Sequence, residues 1–357
     1  MTNSVLPATS PDLTVSRADF YDDRAAVESV WSQNFSSTGD RRFDCYLTGP
    51  DGPGSIWVLR TPAGDVVGTA GLQLRTMQFG NRTATTGVAL NLAVAPAYRS
   101  AGPAVRLQRA LIDEAFQTGL ACVVGASENG AAVLKRAGYK PLGPIFRLVK
   151  PLRSEYKLKQ YLKSPLAARI VARGADAALW ATSPETWRGL PPGWAVEHRD
   201  DFDERIERLW GQVAHRFPIA TVRTQAFMQW RFVACAETPY RVMYLHNPAG
   251  ELAACAVFQP QGDTVELSDV AYADLAALDL LLAEFLRRVR ADRARFNAVT
   301  FVGFGADELI NRLRAFGFAQ RQGRKTFLAA VNPATRQSLP DVNTVSHWYL
   351  TAADLDS

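Results

Sequence analysis

The chain repeats itself, and that limits what it can fold into more than any single motif does. Gly64-Asp-Val-Val-Gly-Thr-Ala-Gly-Leu-Gln73 has a counterpart in Gly250-Glu-Leu-Ala-Ala-Cys-Ala-Val-Phe-Gln259, and Leu134-Lys-Arg-Ala-Gly-Tyr139 in Leu313-Arg-Ala-Phe-Gly-Phe318, at nearly equal offsets along the chain. Between its anchors the second half sets out a strand (265–271), a helix (275–290), a strand (298–304) and a helix (306–315). Self-similarity of this kind points to two copies of one α/β module. The expected division is a disordered N-terminus at 1–11, a first module at 12–151, a basic linker at 152–194, a second module at 195–332 and a C-terminal tail at 333–357. A length of 357 residues with 47% apolar and 21% charged side chains suits a globular chain of two domains.

The first copy carries the most specific chemistry. After an apolar run at 88–94 the chain turns at Pro96 and enters Tyr98-Arg99-Ser100-Ala101-Gly102-Pro103-Ala104, whose small side chains let a phosphate approach the backbone. A helix follows from Pro103 to about residue 116. Its first N–H groups have no partner within the helix and its dipole is positive there, so a diphosphate is a favourable ligand. Pro103 lacks an N–H, but proline suits the first helical position. A dinucleotide fingerprint would need three glycines and a later acid, and a Walker loop would need Gly-Lys-Ser/Thr; neither occurs. The plain alternative is a β-α turn that happens to be rich in small residues. Upstream, two strand-like runs (56–60 and 66–74) flank a turn at Pro62-Ala-Gly-Asp65. Downstream, a strand at 121–125 leads to Ser127-Glu-Asn-Gly130, with Ser127 as candidate N-cap of a helix that ends at Gly138.

The pattern Val94-x-Pro96-x-x-Arg99-x-x-Gly102-x-Ala104 resembles the acyl-coenzyme A loop of the GNAT N-acetyltransferases. Asn129-Gly-Ala-Ala-Val-Leu-Lys-Arg-Ala-Gly138-Tyr139 resembles that family's second motif. The resemblance covers the first copy and reaches the second only through the repeat. It implies a tandem protein of two GNAT-like modules, each a mixed, mainly antiparallel sheet flanked by helices. It also implies acetyl-CoA or another acyl-CoA as cosubstrate, held by Leu92, Ala93, Val94, Arg99, Ser100, Ala101, Gly102, Ala104 and Asn129. The acceptor it implies is an amine, either a small amine or an amino sugar or other precursor of a surface polysaccharide. Where the second copy should repeat the loop it has Asp269-Val-Ala-Tyr-Ala-Asp274, whose acids would repel a diphosphate, so cofactor binding is expected in the first copy alone.

Acyl transfer from a thioester to an amine needs a neutral amine, a polarised carbonyl and a proton for the leaving thiolate. In the family a carboxylate on the central strand and a tyrosine on the second-motif helix often do the proton work. Here the tyrosine position holds Leu134, and the only polar side chain at 88–94 is Asn91. The candidates that remain are Asn91, Tyr98, Ser127, His215, Glu266 and Asp269. Each has a structural reading beside the catalytic one: Asn91 a strand asparagine satisfied by backbone, Tyr98 and Ser127 loop or capping residues, His215 a surface histidine, Glu266 and Asp269 a solvent-facing strand residue and a turn residue. Two other function classes fit the chain, a non-catalytic acyl-CoA-binding scaffold and a two-copy aminoacyl transferase that draws on charged transfer RNA. Arg223-Thr-Gln-Ala-Phe-Met-Gln-Trp-Arg231-Phe resembles a helix of two-copy GNAT proteins of cell-surface polysaccharide assembly.

A formal charge of +5 suits an anionic cosubstrate, with nucleic acid the less favoured partner. The basic residues concentrate at 150–173, where Lys150, Arg153, Lys157, Lys159, Lys163, Arg169 and Arg173 face the single acid Glu155. This segment reads as a solvated linker helix, or as a peripheral contact with acidic lipid, because Leu162, Leu166 and Ile170 recur at helical spacing. No run is apolar enough to span a membrane and no signal sequence is evident, so a cytoplasmic location is expected. Four scattered cysteines read as reduced core residues, and four scattered histidines show no metal-ligand spacing. The sequence leaves oligomeric state open.

Overall fold

A computed structural model describes residues 12–35, 41–99, 102–162, 164–292, 296–321 and 323–355. The expected N-terminal disorder at 1–11 lies outside the described residues. The first copy runs β1 (Thr14–Arg17), α1 (Arg24–Ser32), α2 (Arg41–Leu47), β2 (Ser55–Arg60), β3 (Val66–Phe79), β4 (Arg82–Val94), α3 (Pro103–Gln117), β5 (Cys122–Ser127), α4 (Ala131–Ala137), β6 (Lys140–Pro144) and β7 (Phe146–Pro151). A connection of α5 (Glu155–Tyr161), α6 (Pro165–Thr182) and α7 (Pro184–Trp187) follows. The second copy runs β8 (Ala195–Arg199), α8 (Arg205–Val213), β9 (Ile219–Thr221), α9 (Gln225–Gln229), β10 (Arg241–His246), β11 (Leu252–Gln261), β12 (Thr264–Tyr272), α10 (Leu275–Ala291), β13 (Ala298–Gly305), α11 (Asp307–Ala315), β14 (Ala319–Arg321), β15 (Thr326–Val331) and β16 (Trp348–Thr351). Both copies are mixed α/β with mainly antiparallel sheets, as the repeat requires.

The described residues divide into two compact units that are not consecutive in sequence. The first takes those of 1–75, 84–142 and 326–338, and the second those of 76–83, 143–325 and 339–357. Sequence reasoning placed 143–151 in the first module and 326–332 in the second; in the structure these strands have changed places. In the first unit β15 lies antiparallel to β5, from Thr326 opposite Ser127 to Val331 opposite Cys122. In the second, β7 lies antiparallel to β13, from Ala298 opposite Pro151 to Gly303 opposite Phe146. The two copies have exchanged equivalent strands. Each exchanged strand satisfies backbone donors and acceptors that would otherwise line an open sheet edge.

In the first unit the sheet is sandwiched between helices. Alternate residues of β2 go to opposite faces, Trp57 and Leu59 to α3, Ile56 and Val58 to α1 and α2, so the strand reads as continuously apolar. Helix α3 buries Leu107, Leu111 and Ala115, four residues apart along one stripe. At the end of α4, Gly138 takes φ +114°, and the N–H groups of Gly138 and Tyr139 close onto Lys135 and Leu134. Two expectations change in detail. Helix α4 begins at Ala131 with Gly130 as N-cap, three residues beyond Ser127. Leu162 ends α5, so it does not share a helix face with Leu166 and Ile170.

In the second unit the parallel pairing of β12 with β13 covers Thr264 to Leu267 and stops. The strands part there, and β16 enters the opening: it pairs with β13 at Gly303–Gly305, while Tyr349 Oη donates to Val270 O and Ala353 N–H to Ser268 O. Arg223 locks the wedge from below. It is wholly buried and donates to Asp269 (3.2 Å), Asp354 (2.7 Å) and Thr221 O (2.6 Å), with its guanidinium 5.1 Å from the Trp210 ring centroid and 5.6 Å from that of Tyr349. Thr351 adds a hydroxyl bond to Asp269 (2.7 Å) and an N–H bond to Asp354 (2.8 Å). Burial disfavours the charge on Arg223, but the two carboxylates outweigh it and raise its pKa; on Asp269 burial outweighs Arg223 and pushes the carboxyl up.

Cys122 and Cys255 are free and buried, and burial pushes the Cys122 thiol up to about 12. Cys45 and Cys235 are each disulfide-bonded, against the expectation of four reduced cysteines, because spacing along the chain carries no sign of a thiol's oxidation state. Among the described residues no helix is long and apolar enough to cross a membrane, and no group of three His, Cys, Asp or Glu side chains could hold a metal ion.

Two outcomes follow from the exchanged strand and the buried arginine. A fragment of residues 12–151 should aggregate, whereas 12–142 joined through a flexible linker to 323–338 should unfold cooperatively in a thermal melt. The difference is the paired β5 edge and burial of Phe327 and Leu328, worth about 3–6 kcal/mol. Replacing Arg223 by Met strands two buried carboxylates and should cost about 3–5 kcal/mol in denaturant unfolding.

Candidate functional site

The first unit has the same fork as the second, without the wedge. The parallel pairing of β4 with β5 covers only Gly87, Val88 and Ala89 opposite Val123, Val124 and Gly125. Both strands then run on, β4 to Val94 and β5 to Ser127. The divergence begins next to Asn91, which has φ +49° within β4. A left-handed residue turns the pleat locally, and asparagine tolerates that conformation better than most side chains. No described strand fills this fork. The backbone of Leu92, Ala93 and Val94 forms one arm; Leu92 is half-buried, and the side chains of Ala93 and Val94 are buried.

Asn91 is held from both sides. Its Nδ2 donates to Tyr46 Oη (3.0 Å), and its carbonyl accepts from Thr69 Oγ1 (3.0 Å), whose oxygen accepts from Trp31 Nε1 (3.0 Å). Tyr46 fits a notch in which any side chain on Gly71 would overlap the phenol oxygen. The asparagine therefore anchors the fork in a buried network. Sequence reasoning missed Tyr46, Thr69 and Trp31. One signal was available: α1 reads Glu28-Ser-Val-Trp31-Ser-Gln33 and α8 reads Glu207-Arg-Leu-Trp210-Gly-Gln212, at the same offset as the paired Leu134 and Leu313 segments. Asn91 and Asp269 stand almost that same distance apart in the chain.

Beyond the fork the chain makes a 3-10 turn at Pro96–Tyr98 and enters α3 at Pro103. Gly102 is the N-cap with φ +140°, a conformation other residues rarely adopt, and a Cβ there would meet nothing within 4 Å. The first helical bond runs from Arg106 N to Gly102 O, which leaves the N–H groups of Ala104 and Val105 without a helical partner. Arg99 folds back, its Nε on Val94 O (3.0 Å) and its Nη2 on Asn34 Oδ1 (2.7 Å), so it braces the loop against the strand end. Ser100 and Ala101 lie outside the described residues. Asn129 is exposed between β5 and α4. The fork, the open space at Gly102 and the first N–H groups of α3 together set open strand backbone beside a helix N-terminus, where an anion is favoured.

Of the candidate proton carriers in this unit, Tyr98 is half-buried against the core, and Ser127 Oγ accepts the Gly130 N–H (2.7 Å), which leaves its own proton to donate. Leu134 is packed in the core at 4% exposure. In the second unit the candidates do not converge. Asp269 belongs to the Arg223 network and reaches no cleft, Glu266 accepts from Ser268 Oγ (3.0 Å), and His215 is exposed. What remains at the mouth of the second fork is a cavity of about 230 Å³ lined by Arg216, Tyr272, Glu308, His347 and Trp348, in which Arg216 is paired with Glu308. Arg223, which opens the segment likened to polysaccharide-assembly proteins, is a buried support.

The sequence profile of the Acetyltransferase (GNAT) family matches residues 20–139, which span the fork, the loop and the α4 motif. No curated protein sequence matches the chain. Solved structures share its fold at low identity. A conserved protein from Enterococcus faecalis described as a probable N-acyltransferase superposes with a TM-score of 0.66 at 11% identity, covering 89% of this chain and 72% of its own. A GCN5-related N-acetyltransferase from Anabaena variabilis gives 0.65 at 12%, covering 91% and 74%. A tandem GNAT protein of the clavulanic acid biosynthesis pathway gives 0.55 at 13%, covering 90% and 99%. The GNAT family domain therefore lies in the first copy, and the chain as a whole shares its fold with a tandem GNAT protein.

Proposed function

We propose that the first unit binds acetyl-CoA along the fork of β4 and β5 and that the chain transfers the acetyl group to an amine, with amino sugars the first acceptor class. The observation that carries this reading is the contrast between the forks. One is wedged shut by β16, while the other opens beside a helix N-terminus whose approach is a glycine. The backbone of Leu92, Ala93 and Val94 offers strand-like partners to an amide-bearing arm, and Ala104 and Val105 offer N–H groups to the diphosphate. Acetyl-CoA supplies a thioester whose C–S bond breaks as the C–N bond to the amine forms.

The chain's own contribution is positioning and polarisation. A strand N–H beyond the Asn91 bulge stabilises the carbonyl oxygen as it gains charge. Residues Arg82–Val94 include no carboxylate, and the helix position that the family often gives to tyrosine is the buried Leu134. The amine therefore arrives neutral, its proton passes to solvent as the bond forms, and the thiolate is protonated by solvent or through the Ser127 hydroxyl.

Two measurements test this. Ala104→Asp puts a carboxylate in the first turn of α3, where an acid favours the helix but opposes a diphosphate. Calorimetric titration should show acetyl-CoA affinity falling at least about tenfold with the melting temperature kept; unchanged affinity would move the site. The pH profile of kcat/KM should rise with the neutral fraction of the acceptor and level off at the acceptor's own pKa, shifting when the amine is changed, with His215→Gln having no effect. A plateau independent of the acceptor would assign the base to the protein. Binding without turnover across an amine panel would make the chain an acyl-CoA-binding scaffold.

A further inference from the structure

Helix α6 is built the wrong way round for a helix bathed in water. Its buried stripe is made of small residues, Ala168 and Ala172, and continues to Asp176, which accepts from the N–H and Oγ of Ser154 (both 2.7 Å). Apart from the half-buried Leu179, its large apolar side chains point out: Leu166 is 69% exposed, Ile170 62% and Val171 50%. At 100° per residue Leu166, Ile170, Ala177 and Ala181 fall on one line of the exposed face, with Gly174, Ala167 and Ala178 beside them. Trp180 and Trp187 extend the patch, both more than half exposed, with rings 6.5 Å apart and the Trp187 indole N–H fixed on Ala181 O (2.7 Å). A continuous apolar face of this kind marks a docking surface.

The charges on it choose the occupant. Arg169 and Arg173 flank the apolar line, and Lys157 stands on the preceding α5; none of the three has an ion-pair partner among the described residues. The nearby acids are committed, Asp176 to Ser154 and Glu155 to Lys159 (2.9 Å). Pairing of this face with the same face of a second copy across a twofold axis would set arginine against arginine with no acid to answer. A cationic flank, a broad apolar face and tryptophans at its end are what an interfacial helix needs on an anionic bilayer. We propose that the α6 face, from Leu166 to Trp187, is a docking surface for anionic lipid on which the chain rests peripherally. This inference is independent of the acyl-transfer reading.

The test uses the full chain and sedimentation with vesicles of phosphatidylcholine alone or mixed with phosphatidylglycerol. The protein should pellet with the mixed vesicles, stay in solution with the neutral ones, and be released by salt. Arg169→Gln with Arg173→Gln should weaken binding roughly 25-fold, at about fivefold per cation near the surface. Ile170→Asp should abolish it with an unchanged melting temperature, since the side chain already faces solvent. Equal affinity for neutral and mixed vesicles, or no pelleting with either, overturns the proposal. So does a dimer in light scattering that Ile170→Asp dissociates while vesicles are ignored.

Discussion

Two parallel strands that stop pairing create the candidate site. A parallel ladder binds each strand to its neighbour through evenly spaced bonds, so ending it after Ala89 and Gly125 frees a run of backbone donors and acceptors inside the unit. Such groups are costly when buried alone. Everything around the fork answers that cost or exploits it: the left-handed Asn91 that turns β4 away, the Trp31–Thr69–Asn91–Tyr46 chain that holds the turn, and the loop that brings the N-terminus of α3 to the open end.

The second unit answers the same cost in another way. Its fork after Leu267 and Phe301 is closed with the chain's own backbone, β16, and the wedge is held by an arginine with no access to solvent. The acid equivalent to Asn91, Asp269, has become one end of that lock. In a duplicated fold, one fork thus holds no described strand and the other is filled by the chain's own backbone.

Much of this was legible from residues alone. The start of α3 at Pro103 and the stop of α4 at Gly138 are local events governed by glycine, proline and capping, and they fell where local chemistry put them. The two-copy architecture was legible because repeats survive in strand and helix-end patterns. The exchange of β7 with β15 was not, because the residues of a short strand do not say which of two equivalent sheet edges it will join. The role of Asp269 was hidden for a related reason: its partners Arg223 and Thr351 lie far from it along the chain, one on each side, and no periodicity links them. Arg99 matched the family's spacing, but its contacts with Val94 and Asn34 are features of packing that a motif does not encode.

The exchanged strand also sets a clock on synthesis. The first unit's β5 leaves the ribosome about 200 residues before its neighbour β15 exists, an interval of roughly 10–40 s at ordinary translation rates. For that time the first copy carries an open sheet edge, and it closes only once β15 is made. A product truncated before β15 keeps that edge open, so the first copy depends on a strand that the second copy supplies.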